Sequence, residues 1–528
     1  MKNWNPKFVK FILACSSAIL FFIAWPAAGF APLLFISLVP LLKLEDDNYK
    51  LYLSGTYRSI FWFVYLSFFL FNILTTWWIY FASGYGMIGA VVANSFLMTI
   101  TFQLFHYTRK KLGSKIGYLS LFIYWLSFEY LHMNWDLTWP WLTLGNGFAA
   151  WANMVQWYEY TGVFGGTIWI ILANIYLFKF LSEDFNRKLG AQLAGIILLP
   201  LAASISIYYS YTEKENPIEV IAVQPNIDPY NEKFSGMPSK EQLDKMLRLA
   251  QPLVSDKTAL VICPETALAN GIWKIDLLND YEVNTIRKFV EPYPNLNFLT
   301  GLTLYEMYSD VESKSATARK FRDSNSYFDV YNAAMQINNR SAIQLHYKSK
   351  LVPGVEKMPF PAIFGLLDDF AIDLGGTAGS LGMQAHPSVF RSGKITAAPV
   401  VCYESVYGDY VREYINQGAN IICIMTNDGW WEDTPGYRQH CQYARLRAIE
   451  ERRSIVRSAN TGISCFIDQR GEIHQATKWW MPTAIKANLN LNEERTFYAR
   501  CGDFPAYIAL IALIPMLLFA FFKKKRNS

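Results

Sequence analysis

The sequence predicts a multi-span α-helical membrane domain joined to an α/β layered domain. Three observations carry this reading. Hydrophobic residues make up 52% of the 528 positions and charged residues 17%, below the roughly 25% usual in soluble proteins. The apolar residues are concentrated in repeated runs within 1–210 and again in 505–522. Between these, short apolar strands alternate with helical periodicity, the pattern of a layered α/β fold. An aromatic share of 16% excludes a disordered chain.

A membrane span needs about 20 apolar residues. Runs near 8–25, 28–43, 57–80, 85–106, 115–133, 162–182, 190–210 and 505–522 are read as spans, the second being short and interrupted by proline. The expected organisation is therefore a membrane domain at 1–210 with about seven helices. An outward domain follows at 211–504, then a last span with a basic tail at 505–528. The basic residues orient these runs. Lys2, Lys7 and Lys10 sit at the start of the first run, Lys43, Lys50 and Arg58 between the second and third, and Arg109, Lys110, Lys111 and Lys115 between the fourth and fifth. Arg187 and Lys188 separate the sixth and seventh, and Lys523-Lys524-Lys525-Arg526 follows the eighth. The loops at 26–27, 81–84 and 134–161 contain neither Lys nor Arg. Under the positive-inside rule both termini are cytoplasmic and 211–504 faces outward. No small-residue cleavage site follows the first run, so it is expected to remain as a span. The loop 134–158 carries Trp135, Trp139, Trp141, Trp151 and Trp157, either an interfacial aromatic belt or the lining of a lipid entrance.

In the outward domain, strands are expected near 218–224, 258–263, 297–300, 328–337, 341–347, 396–402, 420–426, 454–459 and 463–468, with helices near 239–251, 278–290, 405–417 and 438–453. Three apolar strands end in Pro264-Glu265, in Cys402-Tyr403-Glu404 and in Asn427-Asp428. Ligands of open α/β sheets bind beyond the carboxyl ends of strands, so these side chains are candidates to meet on one rim. Each has a plainer reading. Glu265 alone is a capping or solvated carboxylate, Lys348 a solvated charge, and Cys402 a small core residue. Were Cys402 to turn directly into a helix, the first N–H groups would face the sulfur and lower the thiol pKa. Residues 359–384 and the pair Trp430 and Trp431 are either core loop or a lid that meets lipid.

The net charge of +5 is small and local, with no aromatic-and-basic pattern for nucleic acid. The seven cysteines are an odd number without a C-x-x-C pair, which disfavours both a zinc site and a disulfide framework.

Taken in chain order, Cys263-Pro264-Glu265, then Tyr347-Lys348 followed by Leu351-Val352-Pro353 and Glu356, then Val400-Val401-Cys402-Tyr403-Glu404-Ser405, resemble the nitrilase superfamily. The stretches YNAAM (331–335) and TNDGWW (426–431) fit as well. With the preceding and following spans, the segment 438–464 and TFYARCGD (496–503), the whole chain resembles the apolipoprotein N-acyltransferase family, the membrane-embedded branch of that superfamily. The resemblance implies a nitrilase-like αββα sandwich with a Glu265–Lys348–Cys402 triad. It implies Cys402 as nucleophile, Glu265 as general base and Lys348 as oxyanion stabiliser, with Glu356, Tyr403 and Glu404 as supporting or pocket residues and with no metal or cofactor. It also implies a phospholipid acyl donor, a diacylated lipoprotein acceptor, a monomer in the bacterial inner membrane, and a catalytic domain on the periplasmic side. A membrane-tethered amidase using water as acceptor would use the same triad. The motif departs from the family at Lys350, where histidine is usual, and at Gly354-Val355, where Phe-Gly is usual, which bears on the shape of the acyl pocket.

Overall fold

The computed structural model describes residues 5–27, 29–234, 236–309, 314–321, 325–360 and 380–523. The chain divides into two compact units, one comprising Met1–Tyr80, Gly84–Ser210 and Cys501–Ser528 and the other Phe81–Ser83 and Tyr211–Arg500.

The first unit is helical. Pro6–Ala24, Gly84–Leu112, Tyr158–Ser182, Arg187–Ser210 and Phe497–Phe522 are long and apolar enough to cross a membrane, and Phe61–Thr76 is a shorter apolar helix. The chain is a multi-span membrane protein. The run 28–43, expected as a span, is not one. It breaks into a 3-10 turn, Ala31–Phe35, and the start of a helix, Val39–Leu53. Pro32 and Pro40 stand at the first turns of these two elements, where a missing N–H is tolerated. The helix then runs into buried Glu45 and Asp46. Arg109 donates to both carboxylates, and His106 Nδ1 lies 2.8 Å from Glu45 Oε1. The tryptophan-rich loop is also more folded than a surface belt. It forms 3-10 segments at Pro140–Leu142 and Leu144–Met154, and Trp141 is buried while Trp135 is exposed. Glu129 anchors it, accepting from Leu144 N–H (2.8 Å), Trp125 Nε1 (3.0 Å) and Thr167 Oγ1 (2.8 Å). Pro200 lies inside Arg187–Ser210 and deprives the Ile196 carbonyl of its helical donor. Trp169 of the neighbouring span donates Nε1 to that oxygen instead, at 2.7 Å.

The second unit is a sandwich of two sheets. The first contains β1 (Pro217–Gln224), β2 (Thr258–Ile262), β3 (Leu268–Trp273), β4 (Asn297–Tyr308), β5 (Arg319–Lys320), β6 (Tyr327–Ile337), β7 (Gln344–Tyr347) and β14 (Thr483–Asn490). Its order is β14-β1-β2-β4-β6-β5, with β3 on β4 and β7 on β6. The second contains β8 (Phe390–Ser392), β9 (Ile395–Val401), β10 (Ile421–Thr426), β11 (Ile455–Ala459), β12 (Cys465–Ile467) and β13 (Ile473–His474), in the order β13-β12-β11-β10-β9-β8. β1, β2 and β4 run parallel in one sheet, and β9, β10 and β11 in the other.

Alternation along the strands sets the layers. Val220, Ala222, Leu260 and Ile262 meet Ala397, Val401, Cys423 and Met425 between the sheets. Ile221, Val223 and Val261 point the other way, onto Leu243 and Met246 of the helix Ser239–Ala250 and Val283 and Ile286 of Tyr281–Val290. The helices Gly408–Asn416 and Pro435–Glu451 pack on the second sheet. Two helical layers therefore enclose two sheets. The short strands β3, β8, β13 and the edge strand β14 were not expected from the sequence. β14 is half-buried along most of its length.

Candidate active site

Glu265 is set just past the end of β2. The strand continues as far as Cys263, whose N–H donates to Leu299 O (2.8 Å). Pro264 offers no donor, so the ladder stops there. Gly301 of β4 makes room for the turn. A Cβ at 301 would stand 2.7 Å from the Glu265 Cα and 2.5 Å from the Thr266 nitrogen, closer than real atoms approach.

Lys348 follows β7, its N–H donating to Asn332 O in β6 (2.8 Å). Its ammonium lies between two carboxylates, 2.9 Å from Glu265 Oε1 and 2.8 Å from Glu356 Oε1. Asn332 Nδ2 donates to the same two oxygens, at 2.8 and 3.0 Å. The second oxygen of Glu265 accepts from Asn427 N–H (3.1 Å), and that of Glu356 from Val352 N–H (2.9 Å). Two of the three Lys348 protons are thus committed, and one remains for a further acceptor.

Cys402 directly follows β9, with a left-handed φ of 52°. A 3-10 turn, Cys402–Val406, follows it, and the helix begins only at Gly408. The expected helix start directly at the sulfur is therefore displaced by a turn. With it goes the expected lowering of the thiol pKa. Burial pushes the Cys402 thiol well up, Glu265 and Asp428 add to this, and Lys348 only partly opposes it. Burial also works to raise Glu265, but Lys348, Asn332 and Lys233 outweigh it and hold the carboxyl below its usual range. Burial works to lower Lys348, but Glu265 and Glu356 hold it well above the usual lysine value. At rest the site holds a protonated thiol beside an ionised carboxylate and an ammonium.

Cys402, Glu265, Lys348, Glu356 and Asn332 line one cavity, together with Tyr331, Leu381, Trp430 and Trp431. Of the lid candidates, Trp430, Trp431 and Leu381 border it, while 361–379 lie outside the described residues. Tyr403 and Glu404 do not line it, contrary to the expectation that they are pocket residues. The 3-10 turn carries them away. Tyr403 packs edge-on to Tyr407. Glu404 is fully buried and braces the turn, accepting from Val401 N–H (2.8 Å) and Ser349 N–H (2.6 Å). His346 Nε2 lies 3.3 Å away from it. Glu404 thus ties the strand end before Cys402 to the segment after Lys348.

A second buried network lies behind the cysteine. Asp428 Oδ2 accepts from Arg457 (2.6 Å), and its Oδ1 lies 2.9 Å from His440 Nδ1 and 2.7 Å from the Thr426 hydroxyl. That hydroxyl is 3.3 Å from the Cys402 sulfur. His440 Nε2 lies 3.2 Å from the Cys402 carbonyl and 2.9 Å from Ser405 Oγ. Burial opposes ionisation of Asp428, but Arg457 and His440 prevail and bring its pKa to about 2. Of this network only Asp428 is a rim candidate in the sequence, the other residues lying inside matched stretches without a role, and neither Lys233 nor Asn332 is singled out there. Asn332 had a signal in YNAAM, whereas Lys233 had none. No group of three or more His, Cys, Asp or Glu suited to a metal occurs among the described residues.

Sheet order, strand-end rim and cysteine turn together define a carbon–nitrogen hydrolase unit, and the carbon-nitrogen hydrolase family model matches residues 222–498. The apolipoprotein N-acyltransferase N-terminal domain matches residues 17–176. An apolipoprotein N-acyltransferase of Chlorobaculum tepidum is 30% identical over 93% of this chain and 92% of its own. One from Haemophilus influenzae is 26% identical over 99% and 97%. The chain belongs to the apolipoprotein N-acyltransferase family. Among solved structures, Saccharomyces cerevisiae Nit3 of the nitrilase superfamily aligns with a TM-score of 0.37 and 12% identity, covering 53% of this chain and 93% of Nit3.

Proposed function

We propose that the chain moves an acyl chain from a membrane phospholipid, through a thioester on Cys402, to the N-terminal amine of S-diacylglyceryl-cysteine in apolipoproteins. The observation that carries the reading is the Lys348 ammonium held between Glu265 and Glu356 in the cavity that also exposes the Cys402 sulfur. Glu265 is the general base, because a protonated thiol is a poor nucleophile and an ionised carboxylate beside it can take the proton as attack begins. Sulfur bonds to the ester carbon while the carbonyl electrons move onto oxygen. The remaining Lys348 proton and the backbone N–H after Cys402 face that charge, and such a donor contributes typically ~3–4 kcal/mol. Collapse breaks the bond to the glycerol oxygen, which leaves as lysophospholipid with the proton from Glu265. The acceptor amine then attacks the thioester carbon, Glu265 removes a proton from nitrogen, and the thiol is regenerated. Glu356 holds Lys348 in place.

The orientation follows from the basic loops, with both termini cytoplasmic and the 211–504 domain on the periplasmic face of the bacterial inner membrane, between the 1–210 domain and the last span. Acyl chains resist transfer to water by ~0.8 kcal/mol per CH₂, which favours a triad placed where the tail stays in hydrocarbon. The enzyme acts as a monomer, and the chemistry requires no cofactor. Intact-mass detection of an acyl thioester after incubation with defined phospholipid tests the reading. A labelled acyl-enzyme on the Cys402→Ala variant overturns the nucleophile. A tethered amidase would release free fatty acid rather than N-acyl peptide from phospholipid and a diacylated peptide.

A further inference from the structure

Lys233 lies between β1 and the helix Ser239–Ala250, in a segment to which the sequence gave no role. It is only 3% exposed. Its Nζ donates to the backbone carbonyl of Glu265 at 2.9 Å. The ring of Phe234 lies 5.9 Å from that nitrogen and stacks on Trp430, both rings lining the cavity. Gln242 fixes the segment by donating Nε2 to the Lys233 carbonyl (2.7 Å). A buried ammonium needs a compensating charge. The charged groups that act on Lys233 are Glu265, past β2, and Cys402, past β9. On its own segment, Glu232 instead accepts from Asp228 N–H.

The charges around the sulfur give this lysine a task. Glu265 and Glu356 are two carboxylates, and Lys348 neutralises one. Without Lys233 the site would carry a net negative charge before attack, and a thiolate or oxyanion would form against it. We propose that Lys233 is a positioning residue of acyl transfer. It fixes the Glu265 turn through that carbonyl and supplies the second positive charge, which lets negative charge build on Cys402. This rests on the triad reading above. Burial brings the ammonium down to about 8 against the pull of Glu265 and Cys402, so the charge is present at neutral pH and is lost as pH rises through that value.

The test is the rate of Cys402 alkylation by iodoacetamide against pH, followed by peptide mass on the full chain in detergent, with Cys402→Ala as background. Lys233→Met should slow alkylation at pH 7 about tenfold, the effect of removing one nearby opposite charge, while Lys233→Arg stays near wild type. The ratio of wild type to Lys233→Met should shrink as pH rises past about 8. Lys233→Gln keeps a donor to the carbonyl without the charge. It should recover at most part of the methionine variant's loss, staying below wild type, and replaces that variant if it does not fold. Wild-type rates in the uncharged variants, or an arginine variant as slow as methionine, overturn the inference. Absence of any Cys402-dependent labelling in wild type instead removes the triad reading, and this proposal falls with it.

Discussion

Two buried polar clusters flank Cys402, and they differ in whether their atoms are used up. Toward the cavity, Lys348, Glu265, Glu356 and Asn332 share a few oxygens and leave one ammonium proton for a further acceptor. On the other side, Asp428 has both oxygens engaged by Arg457, His440 and Thr426. Glu404 is enclosed by Val401, Ser349 and His346. Both clusters are largely buried and charged, yet only the first can change its protonation during a reaction without leaving a buried ion unpaired. The front cluster is therefore suited to chemistry, and the rear one to holding a left-handed cysteine in place.

Variants separate these two tasks. The largest effect is expected at the front. Cys402→Ala should abolish the acyl-enzyme outright, and Glu265→Gln should lower the rate of its formation by roughly 10²–10⁴, the usual contribution of a general base, both read by intact mass. Lys348→Met should lower turnover by about 10²–10³ through loss of an oxyanion donor. It should also lower the thermal midpoint, because Glu265 and Glu356 are left buried without their cation.

Asp428→Asn reverses the emphasis. Breaking a buried ion pair costs about 3–5 kcal/mol, so thermal unfolding should respond more than catalysis does. The wild-type pH dependence carries the same sign. Asp428 is held down to about 2 in the fold, against an ordinary value of 3.8. Its stabilisation, of order 2 kcal/mol, is complete above the higher value and disappears as pH falls toward the lower. An Asp428→Asn variant should lack that acid-side loss of midpoint. The smallest effect is expected for Glu404→Gln, which keeps an acceptor for Val401 or Ser349. It should cost about 1–2 kcal/mol and lower turnover several-fold with little change in KM. A Glu404 variant as damaging as Glu265→Gln would break the division between front and rear.

Much of the front cluster was legible in the sequence because its residues sit at strand ends, where an apolar run stops at a polar side chain. Glu265 and Lys348 are legible this way, whereas Glu356 comes only from the family resemblance, and the three meet around one ammonium. Lys233 was not legible, since NEKFS has neither period nor punctuation, and only the fold returns it to Glu265. Of the supporting or pocket roles that the resemblance implies for Glu404 and Tyr403, the supporting one fits Glu404. Adjacency to the cysteine suggested the pocket, but the 3-10 turn rotates them out of it. The run 28–43 misled because hydropathy ignores hydrogen bonding. Two prolines divide it, and the carboxylates that follow it are buried against Arg109 rather than left in water.

The glycine at 301 also limits what the neighbouring strand tolerates. With bare backbone pressed against the base's α-carbon, the main chain at 265 is held in place and cannot shift to bring a shorter side chain forward. A shorter acid at 265 would fall one methylene short with nothing to push it forward. Aspartate there should therefore be about as inactive as glutamine, although it keeps the charge.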